Sequence, residues 1–428
     1  MNFFEFSFDM LQTTKTIISR LPFQRIRDKM AGFHLVDGED IKKGKTTDIY
    51  FKNTMKIFQE KGVGDESVVA EFTASSLPSN WSWGVFCGLD EVLSLLDGKK
   101  IDVYAMPEGS IFRTKGRKGV FTPVLCLEGP YKQFCIHETS LLGFICHPSG
   151  IATKSARVAK VAGDSLVISF GIRRMHPGLA PLIDRAAYIG GCDGVSSIAG
   201  AEEVGVEPQG TMPHSLTIIF GDPRKAFDAF HEVLPQGVKR IALVDTYHDE
   251  TMESIMAAEE MGDDLFGVRL DTPSSRRGDL AAIAEEVIWE LEQRDVDCKI
   301  ICSGGMDEYS IPDLKEAGAD AFGVGTSISN ARTINYAMDI VEKEGELVAK
   351  RGKFSGKKQV YRCPECFSFE MKSWDDEERP VCGCGNDMEP MLEKVMDNGE
   401  ITTDYPSPKK IRKKVLDQLK KVEVDWLD

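Results

Sequence analysis

Between residues 160 and 345, short apolar runs alternate with stretches whose apolar positions recur at helical spacing. Residues 240–247 (RIALVDTY), 265–271 (LFGVRLD), 298–302 (CKIIC) and 319–324 (ADAFGV) read as buried strands. Within 280–296, Leu280, Ile283, Val287, Ile288 and Leu291 share one helical face, and the glutamates fall mostly elsewhere. Strands alternating with amphipathic helices predict an α/β chain of parallel βα units. The strand starts lie roughly 20 to 35 residues apart, a workable pitch for such units.

Each strand runs into a polar or glycine-rich cluster: Asp245 with Thr246, Arg269 with Asp271, Ser303-Gly304-Gly305, and Gly323-Val324-Gly325-Thr326. Chemistry at one end of four successive strands favours a (β/α) barrel-like domain, whose active face is the C-terminal end of the strands. An open doubly wound sheet would also put ligands there. Segment 34–160 has a different texture. Short strands at 67–73, 101–104 and 120–126 are punctuated by Gly and Pro, which predicts a separate N-terminal α+β domain. The barrel domain is expected over 161–345, and a cysteine-bearing module with a helical tail over 346–428. Segment 1–33 is an extension that reads either as a short amphipathic helix or as a start placed ahead of Met30.

Composition narrows the partners. A formal net charge of -16 argues against a broad nucleic-acid surface while leaving room for a local phosphate pocket. The lysine-rich stretch 409–421 reads as a solvated helix, with Ile411, Val415, Leu416 and Leu419 on one side. No apolar run reaches the length of a membrane span, and residues 1–10 lack the basic start of a signal peptide. Eleven cysteines, seven scattered through apolar runs, point to a reducing cytoplasm rather than a disulfide scaffold.

The other four cysteines form Cys363-Pro-Glu-Cys366 and, 15 residues on, Cys382-Gly-Cys384. Two close thiol pairs separated by a hairpin-length insert match a zinc ribbon. Four cysteines leave no vacancy for water, so the Zn²⁺ is expected to be structural. The paired glycine turns on neighbouring strands would let successive N–H groups reach a phosphate. Arg173 and Arg174 follow the apolar run 166–170, and Arg269 sits inside an apolar strand. A guanidinium there suits either a substrate anion or an internal pair with Asp271 or Asp245. His214 follows Gly and Pro in a loop, and local features leave it open between a structural and a functional residue.

Taken in order, TDIYF at 47–51, FGIRR at 170–174, DGVSS at 193–197, GTMPHS at 210–215, VDTY at 244–247, VRLD at 268–271 and the two glycine turns resemble the nicotinate phosphoribosyltransferase family, in its archaeal form with a C-terminal zinc-binding module. The resemblance covers roughly residues 34–390. It implies a type II phosphoribosyltransferase that joins nicotinate to phosphoribosyl pyrophosphate in NAD salvage, with Mg²⁺ and, in many members, coupled ATP hydrolysis. It implies a homodimer or higher oligomer with a shared active site. Tyr50, with Asp48 beside it, would come from the partner subunit to stack on the pyridine, and Phe170 would close the other face. Arg173 and Arg174 would lie near pyridine and phosphoribosyl group, and Asp193 and Asp245 would line the substrate pocket. Arg269 and Asp271 would hold ribose and pyrophosphate, and His214 would accept phosphate from ATP. Asp271 is followed by TPSSRRG rather than the short Ser-Gly turn of many members, which could bring Arg276 or Arg277 into play.

Two other readings compete. A quinolinate phosphoribosyltransferase would need more cations for a second carboxylate. A non-catalytic zinc-ribbon protein that binds RNA is opposed by the net charge.

Overall fold

The computed structural model describes residues 33–272, 275 and 278–425. The helix or displaced start expected within residues 1–32, and the contributions expected of Arg276 and Arg277, lie outside the described residues. The chain forms two bodies, divided between Thr46 and Thr47. In the first, the described residues form one short helix, Gly38–Lys42, capped where Asp37 accepts the Asp40 N–H at 2.8 Å.

The second body is built on two large sheets. One is antiparallel and seven-stranded, in the order Glu346–Leu347, Tyr336–Lys343, Ser67–Ala74, Pro123–Pro130, Asp102–Ala105, Glu393–Asp397, Glu400–Ile401. The other has six parallel strands: β1 (Leu166–Ser169), β2 (Gly194–Val195), β3 (Arg240–Leu243), β4 (Leu265–Leu270), β5 (Lys299–Ser303) and β6 (Ala321–Val324). Their spatial order is β2-β1-β6-β5-β4-β3. Among the described residues the two edge strands, β2 and β3, are not paired with each other, so the sheet is an open, half-barrel form of the type II phosphoribosyltransferase fold. Between them in sequence lie the helices Ile198–Val204, His214–Phe220 and Pro223–Val233.

Register explains why the polar clusters converge. Leu243 pairs with Arg269, Leu270 with Cys302, Ser303 with Gly323, and Val324 with Ser169. Parallel strands in this register finish together, and the residues that follow share one rim. Beneath the rim, Leu243, Val268, Leu270, Cys302, Phe322 and Val324 are fully buried, with Ala284, Val287 and Leu291 of the helix Leu280–Glu292 in the same core. Each such aliphatic contributes about 1.5–3 kcal/mol of transfer free energy, an upper figure for an extended unfolded chain.

The 25-residue helix Glu138–Ala162 contacts strands of both sheets and lies between them. Its Thr153 and Ser149 hydroxyls accept the Val85 and Cys87 N–H groups at 2.8 and 3.0 Å, so one helix face is stitched to the N-terminal segment. The antiparallel sheet draws strands from three stretches of sequence. Tyr336–Lys343, which periodicity groups with the barrel, and Glu393–Asp397, which follows the cysteines, both add to it. A smaller three-stranded sheet, Phe369–Ser373, Lys358–Arg362 and Glu389–Pro390, carries the cysteine cluster.

The C-terminal helix, Pro408–Leu419, is more than a solvated tail: Ile411, Val415 and Leu419 are at most 4% exposed and belong to the main core. No helix among the described residues is long and apolar enough to cross a membrane.

Candidate active site

The rim of the parallel sheet encloses a cavity of about 560 Å³. Arg269, the last residue but one of β4, reaches out of an apolar strand into its wall. Each guanidinium nitrogen makes one bond: Nε donates to Ser303 Oγ at 3.0 Å, Nη1 to Thr211 Oγ1, and Nη2 to Asp271 Oδ2 at 2.7 Å. Asp271 Oδ1 accepts from Ser303 Oγ at 2.7 Å. The internal pair and the cavity position therefore coexist, because Arg269 and Asp271 form one network lining the space.

Asp245 sits behind this network, with its side chain 3% exposed. Its Oδ2 accepts the Asp271 N–H at 3.0 Å and the Thr272 hydroxyl at 2.7 Å, while Oδ1 is buried and has no hydrogen-bond partner. His214 is the first residue of the helix His214–Phe220. Its Nδ1 lies 3.1 Å from Thr246 Oγ1, and its Nε2 faces Asp271 Oδ2 at 3.7 Å and Asp245 Oδ1 at 3.8 Å.

These charges set the protonation states. The interaction with Asp271 raises the His214 pKa above its ordinary value, against the opposing effect of burial. Burial would raise the Asp271 carboxyl, but His214 and the Arg269 charge override it and hold it well below the usual carboxylate range. At Asp245 burial wins over the Thr272 hydroxyl and the His214 charge and pushes the carboxyl up.

One residue outside the sequence-level candidates shapes this wall. Glu253, fully buried on the helix Glu250–Met261, accepts the N–H groups of Thr246 (3.0 Å), Tyr247 (2.6 Å) and His248 (2.9 Å). It pins the turn after β3 and thereby the hydroxyl that meets His214. Its signal in the sequence was only a glutamate on a helix, like many others.

The glycines act by close approach. A Cβ on Gly323 would lie 2.5 Å from the Phe170 ring, so only glycine lets that ring settle across β6. Gly304 and Gly305 adopt φ of 86° and 90°, and an added Cβ on Gly305 meets no protein atom. Arg269 Cζ stands 5.8 Å from the centroid of Phe170.

The cavity thus brings together Phe170, Arg173, Arg174, His214, Arg269, Asp271, Ser303, Gly304, Gly305, Gly323, Gly325 and Thr326 from the sequence-level candidates. Ile172, Ser196, Gln209 and Thr211 also line it. Arg173 and Arg174 form no ion pair among the described residues.

Four expectations fare differently. Asp245 stands behind the cavity wall, its side chain 3% exposed, and does not line the cavity. Asp193 does not line the cavity. It precedes β2 near the N-terminal ends of the strands, where Oδ2 accepts the Val167 N–H at 2.8 Å and Oδ1 accepts from Arg412 at 2.6 Å, so it ties the C-terminal helix to the sheet. Asp48 and Tyr50 are also outside the cavity of their own chain. Asp48 precedes the helix Ile49–Lys61 and hydrogen-bonds Thr139 Oγ1 at 3.0 Å, and Tyr50 is 57% exposed.

The cysteine cluster is a separate site. The Sγ atoms of Cys363, Cys366, Cys382 and Cys384 all lie within 4.8 Å of one another, with closest separations of 3.4 to 3.7 Å. A tetrahedral Zn²⁺ with Zn–S bonds of about 2.3 Å needs sulfurs about 3.8 Å apart, so the donor set fits the ion. Backbone N–H donation from Cys384, with the Ser368 hydroxyl, pushes the Cys382 thiol down to about 6, favouring the ligating thiolate.

Comparison with known proteins agrees with this geometry. Residues 48–149 match the model of the quinolinate phosphoribosyl transferase N-terminal domain, and residues 151–339 that of its C-terminal domain. A nicotinate phosphoribosyltransferase (pncB1) of Mycobacterium tuberculosis is 30% identical over 356 residues, covering 74% of this chain and 78% of that protein. The nicotinate phosphoribosyltransferase of Bacillus subtilis is 28% identical over 365 residues, covering 74% and 72%. Among solved structures, nicotinate-nucleotide pyrophosphorylase from Pyrococcus furiosus is 49% identical, with a TM-score of 0.87 over 91% of this chain and 98% of that one. Human nicotinic acid phosphoribosyltransferase shares the fold, with a TM-score of 0.71 at 18% identity over 88% and 94%.

Proposed function

Since the chain belongs to the nicotinate phosphoribosyltransferase family, we propose that it joins nicotinate to phosphoribosyl pyrophosphate, giving nicotinate mononucleotide and pyrophosphate. The observation that carries this reading is one cavity with an aromatic wall, glycine turns and cations at the common end of six parallel strands.

The chemistry asks for alignment and charge neutralisation rather than a strong base. The pyridine nitrogen is already nucleophilic, and the ribosyl carbon becomes cationic as pyrophosphate leaves. Gly304, Gly305, Gly325 and Thr326 offer backbone donors to phosphate oxygens without a Cβ in the way. Phe170 supplies a flat surface for the ring. Arg173 and Arg174, which form no ion pair among the described residues, meet the substrate's carboxylate and phosphate charges. Arg269, held in one rotamer by three partners, is preorganised toward the leaving group, so little reorganisation is needed as charge develops. Fixing the two reactants at this rim supplies the proximity term.

Mg²⁺ fits the acid pair: Asp271 is ionised, and Asp245 has a buried oxygen without a partner. When bound it would screen the pyrophosphate charge. Zn²⁺ at the four cysteines would stabilise the small sheet around them and take no part in the reaction. His214, with a partly exposed imidazole, is the candidate acceptor if ATP hydrolysis is coupled. The reading includes a homodimer in which Tyr50 and Asp48 complete the partner's site, and a cytoplasmic setting, where the seven cysteines outside the zinc site stay reduced.

Substrate choice separates the family names. Quinolinate carries a second carboxylate and would ask for more cationic groups around the ring than nicotinate does. The test is one assay with phosphoribosyl pyrophosphate and nicotinate, quinolinate or nicotinamide in turn, with and without ATP. Turnover of nicotinate in clear preference supports the proposal. Turnover of quinolinate with release of CO₂ and no use of nicotinate overturns it.

A further inference from the structure

We propose that the cleft between the helix Pro408–Leu419 and the turn holding Cys363 and Cys366 is a second anion site, built for the di- or triphosphate group of a small phosphate ester. The cleft has a volume of about 430 Å³ and shares no lining residue with the candidate active site.

Five cations line it: Lys421, paired with Glu365 at 3.0 Å, and four others, Arg362, Lys410, Lys413 and Lys414. On the helix, Lys410, Lys413 and Lys414 are spaced i, i+3 and i+4, a like-charge arrangement that disfavours the helix unless something offsets it. The helix cannot turn this face elsewhere, because Ile411, Val415 and Leu419 anchor the opposite side in the core. The lining carboxylate, Asp417, is paired outward with Lys420 at 2.8 Å.

None of the four cations has a carboxylate partner among the described residues. Lys410 and Lys413 are exposed and could be a solvated face. Arg362 and Lys414 cannot be read that way. Arg362 is 9% exposed, donates through Nη1 to the neutral acceptors Ile111 O and Gln418 Oε1, and lies over the Phe367 ring with Cζ 4.4 Å from its centroid, while its Nε is buried without a hydrogen-bond partner among the described residues. Lys414 is half-buried and donates only to Pro107 O (3.2 Å) and Ser110 Oγ (2.9 Å); burial, together with Arg362, pulls its ammonium down to about 8.

Glu389, Glu393 and Glu108 act on Arg362 and Lys414, and Asp417 on Lys413, but only from beyond ion-pair distance, so an anion placed among these cations would offset part of their desolvation cost. The chain around them carries a net charge of -16, which makes a local excess of four cations more conspicuous. The zinc thiolates do not supply the missing charge. Among the described residues, the cation that reaches a sulfur of the four-cysteine cluster is Arg117, whose Nη2 lies 3.6 Å from Cys382 Sγ; the four cleft cations hydrogen-bond none. Pro364 and Phe367 give the cleft an apolar wall for the organic part of the ester. Several separate cations around a compact space fit clustered phosphate charge better than one carboxylate.

The experiment is equilibrium dialysis of the zinc-loaded full chain with inorganic tripolyphosphate at low salt. Native protein is expected to bind two equivalents, one at each cavity. The Lys410→Ala/Lys413→Ala pair, and separately Lys413→Glu, should weaken one site about tenfold or more while leaving kcat and both KM values unchanged. Both lysines are exposed, so the variants keep the core intact, which the melting temperature checks. A single equivalent that persists undiminished in both variants overturns the proposal. So does loss of binding to a single-stranded RNA oligomer, in those variants, with tripolyphosphate binding unchanged.

Discussion

Nε2 of His214 lies 3.7 Å from Oδ2 of Asp271, across the wall of the cavity. This is ion-pair rather than hydrogen-bond distance, and Asp271 is itself bound to Arg269. His214 is thereby kept at a raised pKa without being locked to a single acceptor, so its protonated form is favoured where phosphate oxygens are expected.

The first prediction follows from that pair. Asp271→Asn should lower the His214 pKa, read from imidazole ¹⁵N shifts across a pH titration. The sign follows from linkage. A His raised by a partner contributes stability that is fully present below its ordinary value and lost as pH rises through the folded one. The stability gap between native protein and Asp271→Asn should therefore shrink from pH 6 upward through that window, with Asp271's own contribution lost only at strongly acid pH. A His214 pKa unmoved by the substitution would sink the assignment.

Glu253 is expected to matter as much as the residues that line the cavity. Glu253→Ala removes the acceptor of three N–H groups in a turn that is partly open to water, at about 1–3 kcal/mol of stability. It should also lower kcat, because Thr246 would no longer be held against His214. Glu253→Gln, which keeps an acceptor oxygen, should recover most of the stability. Equal, near-native behaviour of both variants would show that the turn needs no anchor.

The glycines should divide by substrate. Gly323→Ala puts a Cβ 2.5 Å from the Phe170 ring and should raise KM for nicotinate more than for phosphoribosyl pyrophosphate. Gly305→Val meets no protein atom but strains a backbone at φ 90° and intrudes where phosphate is expected, so it should raise KM for phosphoribosyl pyrophosphate. Steady-state kinetics with each substrate varied in turn distinguishes them, and the reverse pattern would show that ring and phosphate sit the other way round.

Zinc content gives a fourth check. One ion per chain is expected by elemental analysis, falling in Cys382→Ser, together with a lower melting temperature and little change in KM. The cysteines line no part of the active-site cavity, so a large KM effect with an unchanged melting temperature would argue against a structural ion.

Much of this was legible in the residues alone, for a local reason. Buried parallel strands need continuous apolar runs, so β3, β4, β5 and β6 stand out within a few residues of their observed bounds. Cysteine pairs and glycine turns carry their chemistry in short spacings, and the rim residues Arg269, Asp271, Ser303 and Gly323 sit together because strand register aligns the strand ends. Other features depend on groups far apart in sequence. Asp193 looks like a pocket residue until Arg412, 219 positions later, takes its carboxylate. Ser67–Ala74 meets Tyr336–Lys343 to build a sheet that no local pattern announces, and Arg362 gains its unpaired charge only when the C-terminal helix folds over it. Periodicity determines which face of an element avoids water. Which other element covers that face, and whether a charge finds a partner there, is decided by packing between distant segments, and so appeared only in the tertiary structure.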